Sequence, residues 1–255
     1  MTVAVGVTGA TGRMGREVLA AAGQRGDCEI AFAVSESADA GTTVEGYEVE
    51  PAGELEDLVA DREPDAVVDF TVPEATAGYA AACGEAGVSF VTGTTGLGAD
   101  EITALDRASD AIPVLHAPNF SRGVSVLVEV VREAVGSLPG YDVELAETHH
   151  NGKRDAPSGT AERLLETIEA EGDFSGRKHG REGDDPRVEG EIGVHALRAG
   201  AIAGEHEVLL ADDHEELRLT HRAADRGVFA AGALDAAVWL ADREPGRYEF
   251  ADVLG

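Results

Sequence analysis

The sequence predicts an α/β protein, a doubly wound parallel sheet followed by a smaller α+β segment. Three observations predict it. Up to residue 116, short apolar runs alternate with helical stretches, as in a parallel sheet with crossover helices. A glycine-rich turn joins the first run to the first helix. After residue 140, strand-like runs follow one another with few helices between them, which predicts a mostly antiparallel sheet.

The elements follow in order. Thr2–Val7 is a strand by its β-branched content, and Arg13–Ala22 an amphipathic helix. Cys28–Val34 is a second strand and Glu54–Val59 a short helix. Ala66–Phe70 is a buried strand, Glu74–Ala86 a helix and Val88–Val91 a strand. Ala99–Ser109 is helical and Ile112–His116 a strand. Val124–Val135 is a long helix with an apolar face, Asp142–Thr148 a strand and Ser158–Ala170 a helix. Gly172–Pro186 is polar, charged and glycine-rich, and reads as a long loop. Ile192–Leu197, Glu207–Leu210 and Glu215–Thr220 read as strands, and Val228–Leu240, with the only tryptophan, Trp239, as a last helix. The expected division is a doubly wound domain at residues 1–120 and an α+β domain at 121–227. Residues 228–255 are expected to pack back on the first domain.

Composition narrows the function classes. The chain has 255 residues, 43% of them hydrophobic, enough for a sizeable core. No apolar run reaches the length of a membrane span, and the N-terminus has no basic region before its apolar stretch, so it reads as a strand and not a signal peptide. Two cysteines, Cys28 and Cys83, cannot build a disulfide framework, and a cytoplasmic location is expected. The formal net charge is −29. Nucleic acid and anionic membrane surfaces are therefore excluded as partners. Lys153 and Lys178 are the only lysines, against 18 arginines. Self-repulsion at this charge is screened in concentrated salt, where the Debye length falls to ~3 Å at 1 M. The surface is that expected of a halophile.

Three stretches carry chemistry. The first is Gly9-Ala10-Thr11-Gly12-Arg13-Met14-Gly15, which follows a strand and opens a helix. Glycines there permit a tight turn and close approach of a pyrophosphate, and the helix N-terminus supplies N–H donors and positive dipole. Ser35 and Glu36, at the end of the second strand, stand where a ribose is read. The second is the rim of strand ends. Gly93-Thr94-Thr95-Gly96, Asp69-Phe70-Thr71 and Ala117-Pro118-Asn119-Phe120 all fall there, where parallel sheets bind ligands. The third is His149-His150-Asn151-Gly152-Lys153-Arg154-Asp155-Ala156-Pro157-Ser158-Gly159-Thr160. Ser158 is placed to cap a helix whose N-terminus, preceded by His and Lys, can receive a carboxylate. A metal site at His149-His150 is not expected, because adjacent strand residues face opposite ways and no third ligand is spaced to join them.

These stretches resemble the 4-hydroxy-tetrahydrodipicolinate reductase family, formerly called dihydrodipicolinate reductase, of lysine and diaminopimelate biosynthesis. The resemblance runs through VTGATGRMG (Val7–Gly15), VDFTVPE (Val68–Glu74), GTTG, APNFSRG (Ala117–Gly123) and ETHHNGKRDAPSGT (Glu147–Thr160). It continues through GEIG (Gly190–Gly193), RAG (Arg198–Gly200), GEH (Gly204–His206) and Thr220-His221. It implies a Rossmann-like dinucleotide-binding domain at residues 1–120, a substrate-binding and oligomerisation domain at 121–227, a homotetramer, and hydride transfer from a nicotinamide cofactor to a cyclic dicarboxylate imine with loss of water. It implies that His149 donates or accepts a proton, that Lys153 is a second proton donor, and that His150, Gly159 and Thr160 touch substrate; Ser158 is expected beside them. Gly9–Gly15, Gly93–Thr95 and Ala117–Phe120 would touch cofactor. The bacterial pattern has Glu-Arg at the ribose position, where this chain has Ser35-Glu36. Both NADH and NADPH stay open, and the Glu36 carboxylate favours NADH by repelling a 2′-phosphate. No metal is expected. Two other readings stand beside this one: another Rossmann oxidoreductase, and a redox-sensing protein that holds NAD(P) without turnover. The first would use Tyr-x-x-x-Lys, but His149 and Phe174 occupy the tyrosine positions before Lys153 and Lys178.

Overall fold

The computed structural model describes residues 2–39 and 41–255. The chain divides into two compact units, Met1–Phe120 with Arg226–Gly255, and Ser121–Asp225.

The first unit begins β1 (Val3–Thr8), α1 (Arg13–Ala22), β2 (Cys28–Ser35). The short strands β3 (Thr43–Val44), β4 (Tyr47–Glu48) and β5 (Glu50–Pro51) and a 3-10 turn at Ala52–Glu54 lead into α2 (Leu55–Arg62). Then come β6 (Ala66–Asp69), α3 (Pro73–Ala86), β7 (Ser89–Thr92), α4 (Ala99–Ser109) and β8 (Pro113–His116). β6 and β7 are buried along their whole length, so Ala-Val-Val and Ser-Phe-Val are continuous runs rather than alternating ones.

The second unit holds α5 (Arg122–Ser137), β9 (Asp142–His149), α6 (Gly159–Glu171), β10 (Gly176–His179), β11 (Glu191–Arg198), β12 (Gly204–Ala211) and β13 (Glu216–Ala223). Its five strands lie in the order β10-β11-β9-β12-β13. β10–β11 and β11–β9 are parallel, whereas β9–β12 and β12–β13 are antiparallel. The sheet is therefore mixed, not mostly antiparallel as the sequence predicts. β10 also lies inside the stretch expected to be a loop. Its Gly-Arg-Lys-His sequence has no apolar alternation. What holds it is pairing with β11 and the reach of Arg177 to Glu162 and Glu169 of α6, at 2.6 and 2.7 Å. Neither interaction is local enough to be read from sequence. The core of this unit packs Leu127, Val131, Leu164 and Ile168 of the helices against Val143, Leu145, Ile192 and Val208 of the sheet.

The chain then returns to the first unit as α7 (Gly227–Leu240), β14 (Gly246–Tyr248) and α8 (Phe250–Leu254). A Cβ at Gly232 would come within 1.9 Å of the Phe120 carbonyl, so only glycine lets α7 approach that backbone. Arg25 after α1 bonds Asp235 of α7 at 2.8 Å. With β14 in place the sheet order is β14-β8-β7-β6-β1-β2-β5, every neighbour parallel. This is the predicted doubly wound sheet. β3, β4, β5, β14 and α8 have no counterpart among the sequence-based expectations. Elements of two to five residues are too short to show a period. The strand order reverses at β1, and the β1 and β6 carboxyl ends flank that switch point, where open α/β sheets bind ligands.

Candidate functional site

In the first unit the glycine turn has the shape of a phosphate cradle. Gly9 has φ +67°, a conformation that favours glycine. A Cβ at Gly15 would lie 2.2 Å from the Gly9 carbonyl, so glycine is required for the first turn of α1 to close on the loop. Gly12 caps α1 without a side chain, which leaves that helix end to backbone N–H groups and their dipole. Arg13 is exposed, and Ala10 and Gly15 are buried, with Thr11 and Met14 between these extremes. The residues present fit a dinucleotide: the turn is tight, the helix end is bare and no side chain fills it. At the end of β2, Ser35 is buried and its hydroxyl lies 2.6 Å from Thr11 Oγ1, which also lies 2.8 Å from Ser37 Oγ. Glu36 is exposed beside them.

The rim loops share contacts. A Cβ at Gly93 would lie 2.0 Å from the Phe70 ring, and one at Gly9 would lie 2.9 Å from the Phe70 carbonyl. Phe70 meets Phe120 edge to face at 5.8 Å. Thr71 N–H donates to Thr94 Oγ1 at 3.0 Å. Thr95 is exposed, Ala117 and Phe120 are buried, and Pro118 and Asn119 are at least partly open to solvent. Gly9, Phe70, Thr71, Gly93, Thr94 and Phe120 thus form one connected rim.

In the second unit, β9 alternates faces, with Val143, Leu145, Glu147 and His149 on the buried side. The period that buries two apolar residues carries a carboxylate and an imidazole onto the same face. Glu147 is fully buried. It accepts from His149 Nδ1 at 2.6 Å, from Arg198 Nη1 and Nη2 at 2.8 and 2.7 Å, and from the Ser158 N–H at 3.1 Å. Burial pushes the Glu147 carboxyl up, but the Arg198 and His149 hydrogen bonds outweigh it and hold it below the usual carboxylate range. An ionised carboxylate only accepts, so His149 carries its proton on Nδ1 and turns the Nε2 lone pair outward from the pair. Burial, aided by Lys153 and Arg198, holds His149 below the usual imidazole range against the pull of Glu147. Gly204 leaves room for that ring: a Cβ there would lie 3.1 Å from Nε2.

Lys153 follows in the loop, its Nζ 3.0 Å from Asp155 Oδ1. Arg198 Nη2 also donates to the Asp155 carbonyl at 2.6 Å, so one guanidinium ties Glu147 to the lysine loop. Ser158 caps α6 by accepting from Ala161 N–H at 3.3 Å, and its hydroxyl meets His206 Nε2 at 3.1 Å. Gly159 and Thr160 form the first turn of α6. Gly159 presents backbone with nothing within 4 Å of its Cβ position. His150 lies beyond the end of β9 and is half-buried. The structure thus brings His149, Lys153 and the N-terminus of α6 together through Glu147 and Arg198.

Glu147, Arg198, His206 and Ser37 were not among the predicted site residues. Glu147, Arg198 and His206 lie inside the motif stretches, but Glu147 meets Arg198 across 51 residues and His206 meets Ser158 across 48, which no local pattern shows. His206 Nδ1 is buried without a hydrogen-bond partner among the described residues. Burial, followed by the neighbouring His149, pushes the His206 imidazole down to about 4. Its neutral form favours the fold above the ordinary value of ~6.5. That contribution is lost as pH falls from ~6.5 towards 4, to the extent of about 3 kcal/mol. Thermal melts should show this loss in the wild type and a flatter pH 4–6.5 profile in His206→Gln. Equal slopes would contradict it.

The family model described as dihydrodipicolinate reductase, N-terminus, matches residues 3–120, and the one described as dihydrodipicolinate reductase, C-terminus, matches residues 123–254. A 4-hydroxy-tetrahydrodipicolinate reductase of Natronomonas pharaonis is 51% identical, over 97% of this chain and 98% of its own. One of Haloarcula marismortui is 50% identical, over 98% of each. A solved structure, a dipicolinate-bound dihydrodipicolinate reductase from Paenisporosarcina sp. TG-14, shares the fold with a TM-score of 0.78. It is 23% identical and covers 98% of each chain. Because both family models match, one over each stretch of motif residues, and half the positions are shared with these relatives, the chain belongs to the dihydrodipicolinate reductase family.

Proposed function

We propose that the chain reduces 4-hydroxy-tetrahydrodipicolinate to tetrahydrodipicolinate with a nicotinamide cofactor, as part of lysine and diaminopimelate biosynthesis. Each turnover takes up one hydride and one proton and releases the hydroxyl as water. The observation that carries the reading is the buried Glu147 that holds His149 at 2.6 Å and, through Arg198, the Lys153 loop. When bound, the cofactor supplies the hydride. Residues 1–120 with 228–255 form the dinucleotide-binding domain, in which Gly9–Gly15 would hold the pyrophosphate and Gly93–Thr95 and Ala117–Phe120 would touch the cofactor. Residues 121–227 form the substrate-binding and oligomerisation domain. There Gly159 and Thr160 offer backbone N–H groups to a carboxylate, which the α6 dipole favours. His150 and Lys153 add donors, and His149 and Lys153 move the proton at the electron-rich atom that hydride addition creates. A sensor that only holds NAD(P) has no use for a buried imidazole–carboxylate pair, so catalysis is the better reading. No metal takes part.

NADH is preferred and NADPH accepted. Glu36 repels a 2′-phosphate and accepts from a ribose hydroxyl, while the Ser35 hydroxyl is already engaged by Thr11. Arg13 and concentrated salt soften the repulsion, which lets NADPH in. Steady-state oxidation of each cofactor at high salt, with enzymatically generated substrate, tests both statements. Turnover with kcat/KM higher for NADH is expected. Absence of turnover with either cofactor overturns the function, and a clear NADPH preference overturns the cofactor choice.

The assembly is a cytoplasmic homotetramer of a halophile. The net charge of −29 and the halophilic relatives support the halophile reading, and the two buried free cysteines support the cytoplasmic one; the homotetramer rests on the family resemblance. No helix among the described residues is long and apolar enough to cross a membrane. Melting temperature and oligomer size should both fall as KCl is reduced from multimolar to dilute. Values constant across that series would contradict it.

A further inference from the structure

At the carboxyl end of β6, Asp69 is fully buried, and among the described residues no basic side chain pairs with it. Its partners are instead five threonine hydroxyls. Thr8 and Thr71 donate to Oδ1 at 2.7 and 2.6 Å. Thr76, Thr92 and Thr94 donate to Oδ2 at 2.7, 2.8 and 2.8 Å. The two carboxyl oxygens offer about four lone-pair sites, so five hydroxyl donors saturate them. The donors come from different elements. Thr8 ends β1 just before Gly9, Thr92 ends β7 just before Gly93, and Thr76 is in the first turns of α3. Thr71 and Thr94 sit in the two rim loops. The Thr94 hydroxyl also accepts from the Thr71 N–H at 3.0 Å, and Thr92 Oγ1 accepts from the Thr94 N–H at 3.1 Å. The Asp69 carbonyl in turn accepts from Gly93 N–H at 2.9 Å.

A carboxylate held this way costs desolvation without a counter-charge. A stable core could be built at this place from valines. What the arrangement supplies is a fixed geometry at the starts of three loops, those following β1, β6 and β7. We propose that Asp69 is the positioning residue of the cofactor site: it sets the Thr71 and Thr94 loops and the entry to the Gly9 turn in the shape that receives a nicotinamide dinucleotide. This rests on the reading of the first unit as the cofactor-binding domain.

Asp69→Asn keeps the volume but puts an NH₂ donor against hydroxyl donors. Cofactor dissociation constants, read by NADH fluorescence at high salt, separate positioning from plain stability. Asp69→Asn and Thr94→Val should each raise the NADH Kd by roughly tenfold or more, about 1.4 kcal/mol. Leu105→Ala, a buried change on α4 outside the network, should lower the melting temperature yet leave Kd within twofold. If Asp69→Asn does not fold, Thr76→Val, which removes a donor to Oδ2 outside the residues assigned to cofactor contact, carries the test and should raise the NADH Kd likewise. A Kd within twofold of wild type in the folded network variants, or an equal loss in Leu105→Ala, overturns the positioning role. Wild-type protein that binds neither NADH nor NADPH overturns the cofactor-domain reading, and this inference falls with it.

Discussion

Lys153→Ala is expected to cut turnover by roughly 100-fold or more, the range for a lost acid–base group, while the cofactor Kd stays close to wild type. Lys153 is one of two lysines in a chain with 49 acidic residues, and it stands in the loop that Arg198 ties to Glu147. Its ammonium can give a proton and also attract a substrate carboxylate. Lys153→Arg separates the two contributions. Arginine keeps the charge but does not release a proton near neutral pH, so substrate KM should partly recover while kcat stays low. His149→Ala should resemble Lys153→Ala in kcat. His150→Ala should act more on substrate KM. Near-normal turnover in Lys153→Ala would remove the lysine from the mechanism.

Arg198→Ala is expected to be the most destabilising single change at the site. Its guanidinium makes two bonds to Glu147, at 2.8 and 2.7 Å. Without it a fully buried carboxylate keeps only His149 and one backbone N–H. Breaking a buried ion pair by removing one partner costs roughly 3–5 kcal/mol. The loss has a second consequence. The guanidinium depresses the Glu147 pKa, so without it protonation starts at higher pH and the hydrogen bond that orients His149 weakens. A group with a depressed carboxyl pKa stabilises the fold above its unfolded value and loses that contribution as pH falls through the folded one. The melting temperature of Arg198→Ala should therefore fall below wild type most at neutral pH, and the two should converge under acid conditions. A variant that removes both charges, Glu147→Gln with Arg198→Met, should recover much of the stability but not the turnover. Arg198→Ala melting within about 1 kcal/mol of wild type would show that Glu147 finds compensation elsewhere.

Much of the Gly9–Gly15 turn was legible because its physics is local. The glycines of Gly9–Gly15, a strand before them and a helix after them occupy a single stretch, so sequence order alone displays the geometry. The capped start of α6 is equally local, with Ser158 accepting from the N–H three residues on. The longer strands and helices of the first unit follow from apolar runs and helical periodicity and could be read the same way.

What the sequence by itself determined was therefore the fold class, the glycine cradle and the cluster from His149 to Thr160. The tertiary structure decided the partners of the charges. Glu147 stands two residues before His149, but its role depends on Arg198, brought beside it by the parallel pairing of β11 with β9. Asp69 reads as a polar residue ending a strand until β1, β7 and α3 deliver their threonines to it. β10 shows the same limit from the other side: a polar stretch becomes a strand because a neighbour pairs with it. Periodicity records how each residue meets the core. A buried carboxylate is tolerated only where donors converge from distant parts of the chain, and that convergence is a property of the folded topology.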